Sequence, residues 1–226
     1  MAMQPVDGAF LEKIDQYIED LFVPADAVLD QNLKDAEAAG LPAIAVAPGQ
    51  GRLMYLLTKM CGAKRVLEIG TLGGYSTTLM ARALPKTGKV ITLELSPAHA
   101  KVARKNLELA GVSEIVDIRV GSASESLDKM IQAKEEPFDL VFIDADKTGY
   151  IGYLKQVLQL SRPGTVILSD NLIRHGAVLP GAENPDADAV AVAEFNKILA
   201  SHPRLESILL SVVKNKIDGM AISIVK

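Results

Sequence analysis

The chain has 226 residues, 49% of them hydrophobic, and a net charge of −4 with both signs spread along it. That length suits one large domain with a full core, and the composition excludes a disordered chain. The acidic balance, with no block of five basic residues, argues against a large nucleic-acid partner.

The N-terminus, Met1 to Pro5, lacks a basic segment followed by an apolar one, so no secretory leader is expected. No apolar run approaches the ~20 residues of a membrane span. One cysteine, Cys61, rules out an internal disulfide and fits a reducing, cytoplasmic location. Cys61 itself reads as a small buried apolar residue. Leu11, Ile14, Ile18, Leu21 and Phe22 share one face of a first helix. A second helix spans about 25–39 and stops at Gly40. Leu41-Pro42 breaks the chain. Residues 43–51 read as a loop before a helix over 53–60.

From there short β-branched runs alternate with helices. Strands are predicted over 65–69, 89–94, 115–120, 138–143 and 165–169. The clearest helix spans 97–110, with Ser96 as N-cap, Pro97 in the first turn and Gly111 after the last. This alternation gives an α/β fold, a Rossmann-like open parallel sheet with helices on both faces. After a helix near 187–199, strand-like runs at 205–213 and 219–225 are expected to pair antiparallel through a hairpin at 215–219. The sheet is then seven-stranded and mostly parallel. The N-terminal helices are expected on the sheet's ligand edge or on a second subunit.

Ligands of such sheets bind beyond the carboxyl ends of the strands. Gly70, Gly73 and Gly74 turn the chain between a strand and a helix. Glu94 ends the next strand, placed to accept hydrogen bonds from both hydroxyls of a ribose. Gly121 to Ala123 follow the third strand, where backbone could edge an adenine. The glycine spacing is not G-x-G-x-x-G, Glu68 precedes the turn, and no Lys or Arg occurs over 66–80. A pyrophosphate cofactor is thereby disfavoured. S-adenosylmethionine, with its ribose, adenine and amino-acid tail but no phosphate, fits better. Close packing of helix on strand is the plainer explanation of the glycines, and Glu94 in register weighs against it.

Asp144 ends the fourth strand, and Asp170 and Asn171 end the fifth. Two carboxylates and an amide oxygen suit a hard cation, magnesium first, with calcium or manganese as alternatives. A local turn would explain Asp170-Asn171 alone, but not Asp144 on the adjacent strand. His99, His175 and His202 are scattered, without zinc spacing. Lys147 lies one helical turn past Asp144, where a cation would disfavour its ammonium form and leave a base. A solvated surface lysine is the alternative.

At these residues the chain resembles the cation-dependent O-methyltransferases, which include catechol and caffeoyl-coenzyme A O-methyltransferases. Residues 66–76 (VLEIGTLGGYS), 138–147 (FDLVFIDADK) and 169–172 (SDNL) carry the resemblance, which runs from about residue 43 to the C-terminus. It implies one S-adenosylmethionine-dependent methyltransferase domain over 1–226, with 1–42 as a helical extension. Glu68, Gly70, Thr71 and Ser76 would hold the donor's methionine end or shape its pocket. Val46 would add a backbone contact, Glu94 would take the ribose, Ala123 would offer backbone to the adenine, and Asp146 would be a further donor contact. Asp144, Asp170 and Asn171 match the metal ligands, Lys147 the general base, and His175 a substrate contact.

Two departures concern the acceptor. Thr148-Gly149 stands where many members carry an acidic residue and then a polar one, and no acid occurs over 210–214 to hold a second hydroxyl. The loop 174–186 should line the acceptor pocket. The resemblance implies methyl transfer to a small vicinal dihydroxy aromatic, without a membrane and as a homodimer. A hydroxyuridine of transfer RNA is the alternative acceptor. A nicotinamide dehydrogenase conflicts with the glycine spacing and the oxygen triad, and a non-catalytic scaffold conflicts with the intact ligand set.

Overall fold

The computed structural model describes residues 8–214 and 216–226. The leader question at Met1 to Pro5, and Asn215 of the expected hairpin, lie outside the described residues. In chain order the helices are α1 (Gly8–Phe22), α2 (Ala27–Ala38), α3 (Pro48–Met60), α4 (Tyr75–Ala83), α5 (Pro97–Leu109), α6 (Ala123–Gln132), α7 (Tyr150–Val157) and α8 (Ala187–Ser201). The strands are β1 (Arg65–Ile69), β2 (Lys89–Glu94), β3 (Val116–Val120), β4 (Phe138–Ile143), β5 (Ser161–Ser169), β6 (Leu205–Lys214) and β7 (Lys216–Val225).

They form a seven-stranded sheet in the order β3-β2-β1-β4-β5-β7-β6. β1 to β5 run parallel, and β7 is antiparallel to both neighbours. Side chains alternate across the sheet. Leu67, Ile69, Val141 and Ile143 face α6, α7 and α8, where Leu127, Leu154 and Phe195 complete one core. Val66, Leu140 and Phe142 face α3, α4 and α5, where Met54, Met80 and Leu107 complete the other. The Rossmann-like expectation holds, including the C-terminal antiparallel pair.

Three boundaries differ from the sequence reading. The loop expected over 43–51 gives way to helix at Pro48, because proline at the first position lacks only an N–H that has no helical partner there. β5 starts at Ser161, ahead of Pro163 and Gly164, and its register against β4 shifts between Phe138 and Leu140. β7 starts at Lys216 rather than 219, because the pairing with β6 persists to Lys214 against Lys216. Gly111 and Gly40 do adopt the left-handed conformation expected past a helix end.

α2 docks beside the glycine turn. Its N-cap Asp26 accepts from the amides of Val28 and Leu29 and pairs with Arg82 of α4 at 2.5 Å. Asp35 meets Lys105 of α5 at 2.9 Å. The apolar stripe of α1 is mostly uncovered: Ile18, Leu21 and Phe22 are exposed, as is Tyr17. Among the described residues no helix is long and apolar enough to cross a membrane.

Candidate active site

Strand register brings the candidate residues together. Leu93 of β2, Ile69 of β1, Ile143 of β4 and Ser169 of β5 lie in one row across the sheet. The residues that follow them are Glu94, Gly70, Asp144 and Asp170. Backbone bonds tie this row: Gly70 donates to Leu93 at 2.9 Å, Asp144 to Ile69 at 2.9 Å, and Asp170 to Ile143 at 3.1 Å. Gly121, after β3, donates to the Glu94 carbonyl at 2.9 Å. One edge therefore reads Gly121, Glu94, Gly70, Asp144, Asp170. The topological reversal falls between β1 and β4, where open sheets bind ligands.

The glycine turn is held by the protein itself. A Cβ on Gly70 would lie 2.0 Å from the Asp144 carbonyl oxygen, and its φ is +102°. Only glycine lets β1 and β4 approach so closely there. Glu94 Oε2 accepts from the amides of Thr71 and Leu72 at 3.1 and 2.8 Å, and its Oε1 from that of Ser96 at 2.9 Å. The acid read as a ribose ligand thus also clamps the turn. His99 Nδ1 stands 3.4 Å from Glu94 Oε1.

Glu68 lies behind the turn, fully buried. Ser76, Thr77 and Thr92 all donate hydroxyls to its carboxylate, Thr92 at 2.6 Å. Thr71 Oγ1 meets Thr92 Oγ1 at 2.6 Å, so the turn is linked to Glu68 through a hydroxyl chain. Burial pushes the Glu68 carboxyl up to about 7, against the pull of the three hydroxyls. Glu68 and Ser76 therefore form the floor of the turn.

The oxygen-donor set sits one strand over. Asp170 is 4% exposed and accepts from Gln50 Nε2 at 2.6 Å. Burial, then the neighbouring Asp144 charge, pushes its carboxyl up to about 7. Two carboxylates at adjacent strand ends favour nearby positive charge, which Lys147 supplies in part at 2.9 Å from Asp144 and a divalent cation would supply more fully. Among the described residues no three His, Cys, Asp or Glu side chains gather to hold a metal; Asn171, next after Asp170, adds an amide oxygen to the donor chemistry of this edge. Asn171 has φ +59°, a conformation asparagine tolerates better than most residues. The set fits a hard divalent ion.

Lys147 is not a solvated surface lysine. It is buried, and its Nζ donates to Asp144 Oδ1 at 2.9 Å and to the Tyr150 hydroxyl at 2.7 Å. Tyr150 lies within bonding reach of the Ile143 and Asp170 carbonyls, at 3.2 and 3.1 Å. One phenol thereby joins the ends of β4 and β5 to the lysine. Burial and the flanking carboxylates of Asp144 and Asp170 keep that phenol protonated.

The remaining candidates scatter around this centre. Ala123 opens α6 beside the N-cap Ser122. Val46 packs its side chain into the core before α3, the helix that carries Gln50. Asp146 is exposed and accepts from the Tyr153 hydroxyl at 2.5 Å. His175 is exposed, with φ +54°, in a tight turn whose start is tied to Asp218 Oδ1 through the amides of Ile173 and Arg174. The loop expected to line the acceptor pocket also walls a cavity of about 570 Å³ with α8, lined by Val178, Leu179 and Val190 among others. None of the oxygen-donor set lines it. Cys61 is half-buried rather than buried, and desolvation pushes its thiol up, away from thiolate chemistry.

Sequence reasoning missed Gln50, Tyr150 and Tyr153. Tyr150, three residues past Lys147, was within reach of the helical spacing argument. Gln50 lies 120 residues from Asp170 and gives no local signal.

A family model described as O-methyltransferase matches residues 20–224. The chain is 46% identical over 223 residues to a catechol O-methyltransferase of Niastella koreensis, covering 98% of this chain and 100% of that protein. It is 43% identical over 214 residues to a catechol O-methyltransferase of Mycobacterium tuberculosis, covering 94% and 95%. A crystal structure of the O-methyltransferase from Bacillus cereus in complex with SAH has a TM-score of 0.91 at 42% identity, covering 96% of this chain and 99% of that one. The edge, the turn and the sheet order define a Rossmann-like methyltransferase, and the chain belongs to the O-methyltransferase family.

Proposed function

We propose that this chain moves a methyl group from S-adenosylmethionine to a hydroxyl of a small vicinal dihydroxy aromatic, with a divalent cation and Lys147 as base. The observation that carries this is the single edge on which Glu94, Gly70, Asp144 and Asp170 follow one another on adjacent strands. A donor over β1 and β2 and an acceptor over β4 and β5 would meet at the row's centre. The SAH bound by the Bacillus cereus relative supports the donor, and the names of the two catechol O-methyltransferases support the acceptor class.

Asp144, Asp170 and Asn171 would hold the cation, which when bound supplies positive charge that lowers the pKa of an acceptor hydroxyl. Gln50 fixes Asp170, and Tyr150 with Asp144 fixes Lys147 Nζ at the same strand ends. Lys147 Nζ, acting as the base, would take the hydroxyl proton. The acceptor oxygen then bonds to the methyl carbon as the sulfonium–methyl bond breaks and its electron pair returns to sulfur. Glu94 and Ala123 would hold the nucleoside, Gly70, Thr71 and Ser76 the methionine end above the floor that Glu68 forms, and Val46 and Asp146 would add further donor contacts. Alignment of the two reactants is worth up to ~7–11 kcal/mol of barrier in such transfers.

Assaying a catechol panel with and without a chelator tests the cation, and Lys147→Ala tests the base, with an expected loss of ~10²–10⁴ in turnover. Undiminished activity in chelator, or in the Lys147→Ala variant, sinks the corresponding role. The transfer-RNA acceptor has no observation in its favour; salt-dependent RNA binding in a filter assay would revive it. We also propose a homodimer formed through α1 and the outer strand β6, which contact one another and expose Leu21, Phe22, Ile208 and Leu210. A monomer by light scattering contradicts it.

A further inference from the structure

Gly149 stands at the start of α7 as its N-cap. Its φ of −80° is open to any L-residue, so backbone freedom does not explain it. Space does. A Cβ on Gly149 would lie 2.6 Å from Asp146 Oδ2 and 2.6 Å from two ring atoms of Tyr153. Without that Cβ, the Tyr153 ring passes over the turn, and its hydroxyl donates to Asp146 Oδ1 at 2.5 Å. The two ends of this bond differ in kind. Tyr153 belongs to the packed core on α7, whereas Asp146 stands exposed on the ligand edge. Burial and the carboxylate both push the Tyr153 phenol up, so it remains a proton donor.

We infer that Tyr153 is a positioning residue that holds Asp146 ready for the amino-acid end of the methyl donor, and that Gly149 is the space that admits it. This rests on the reading of Asp146 as a donor contact. An exposed aspartate free to change rotamer must be ordered when its ligand binds, and that ordering weakens binding. Asp146 is ordered beforehand by a side chain that the core itself immobilises. The bond leaves one carboxylate oxygen unclaimed by Tyr153. It requires glycine at 149, because alanine would push the ring or the carboxylate aside.

The test is titration calorimetry of SAH on the full chain, with no acceptor or cation added, alongside thermal unfolding of each variant. Asp146→Asn is expected to weaken SAH. Tyr153→Phe keeps the ring and removes only the hydroxyl, and should weaken SAH about tenfold, the scale of one hydrogen bond to a charged group. Gly149→Ala should weaken it similarly by displacing the ring. Adding Tyr153→Phe to Asp146→Ala, which removes the acceptor, should cost little more than Asp146→Ala alone, because both act through one bond. Wild-type affinity in Tyr153→Phe beside a weakened Asp146→Asn overturns the positioning role alone. An undiminished effect of Tyr153→Phe in the Asp146→Ala background assigns it a merely structural part and overturns it too. Wild-type affinity in Asp146→Asn removes Asp146 as a donor contact, and the proposal with it.

Discussion

Replacing Glu68 by Gln should flatten the dependence of stability on pH. Glu68 is fully buried, and its carboxyl is raised from 4.5 to about 7 by desolvation. Between those values the folded chain keeps a proton that the unfolded chain has lost. The contribution is therefore full below about 4.5 and disappears as pH rises through about 7. At about 1.4 kcal/mol per pH unit, the rise from 4.5 to about 7 amounts to roughly 3 kcal/mol. Glutamine matches the shape. Its amide oxygen can accept from Thr77 and Thr92, which share one carboxylate oxygen now, and its NH₂ faces the Ser76 hydroxyl, which can turn to accept. Urea unfolding of both proteins from pH 4.5 to 8 measures the effect. The variant should gain roughly 3 kcal/mol on the wild type across that range. Taking the difference cancels Asp170, whose carboxyl also titrates near 7. Parallel curves would refute the buried Glu68 carboxyl as the source.

Three further outcomes follow from single contacts. Gly70→Ala drives a Cβ against the Asp144 carbonyl at 2.0 Å in a left-handed conformation; Tm should fall by about 5 °C or more and SAH binding should be lost, as scanning calorimetry and titration would report. Gln50→Leu frees Asp170 Oδ1 and should weaken Mn²⁺ binding, titrated by electron spin resonance, by about 10- to 100-fold; unchanged Mn²⁺ affinity counts against Gln50 as the anchor of Asp170. Tyr150→Phe removes one of two partners of Lys147 and should lower the single-turnover rate about tenfold while SAH affinity stays put.

What the sequence revealed and what it hid divide along chain distance. The strand–helix alternation was legible because β-branched runs and caps are local: Ser96 accepts from the His99 amide as its position implied. The strand-end acids were legible because a parallel sheet puts successive strand ends on one edge. The start of α3 was not, since Pro48 looks like a breaker unless it is known to stand at a helix's first position. Nor was the fate of the α1 stripe, which periodicity marks as apolar without saying what covers it. Gln50 and Tyr153 were invisible for another reason. Each acts through a hydrogen bond whose partner is fixed by the way whole elements pack, α3 on the end of β5 and α7 under the turn after β4.

The glycine turn shows the same division within one motif. Gly70 is required by the Asp144 carbonyl. Gly73 faces Ala36 of α2, 3.1 Å from where its Cβ would lie, and its carbonyl accepts from Asn106 at 2.8 Å. Gly74 caps α4 at φ +83° against Ala103 and Leu107 of α5. Each glycine thus answers to a neighbouring element before any ligand arrives, so the motif alone is weak support for a cofactor. The stronger support is Glu94. It already receives two amides of the turn, so any nucleoside contact at Glu94 would bear directly on Thr71 and Leu72. The hydroxyl chain from Thr71 through Thr92 reaches Glu68 beneath. A turn braced in this way by β4, α2, α5 and two buried acids meets its donor already shaped, which spares the binding step the entropy of ordering a loop.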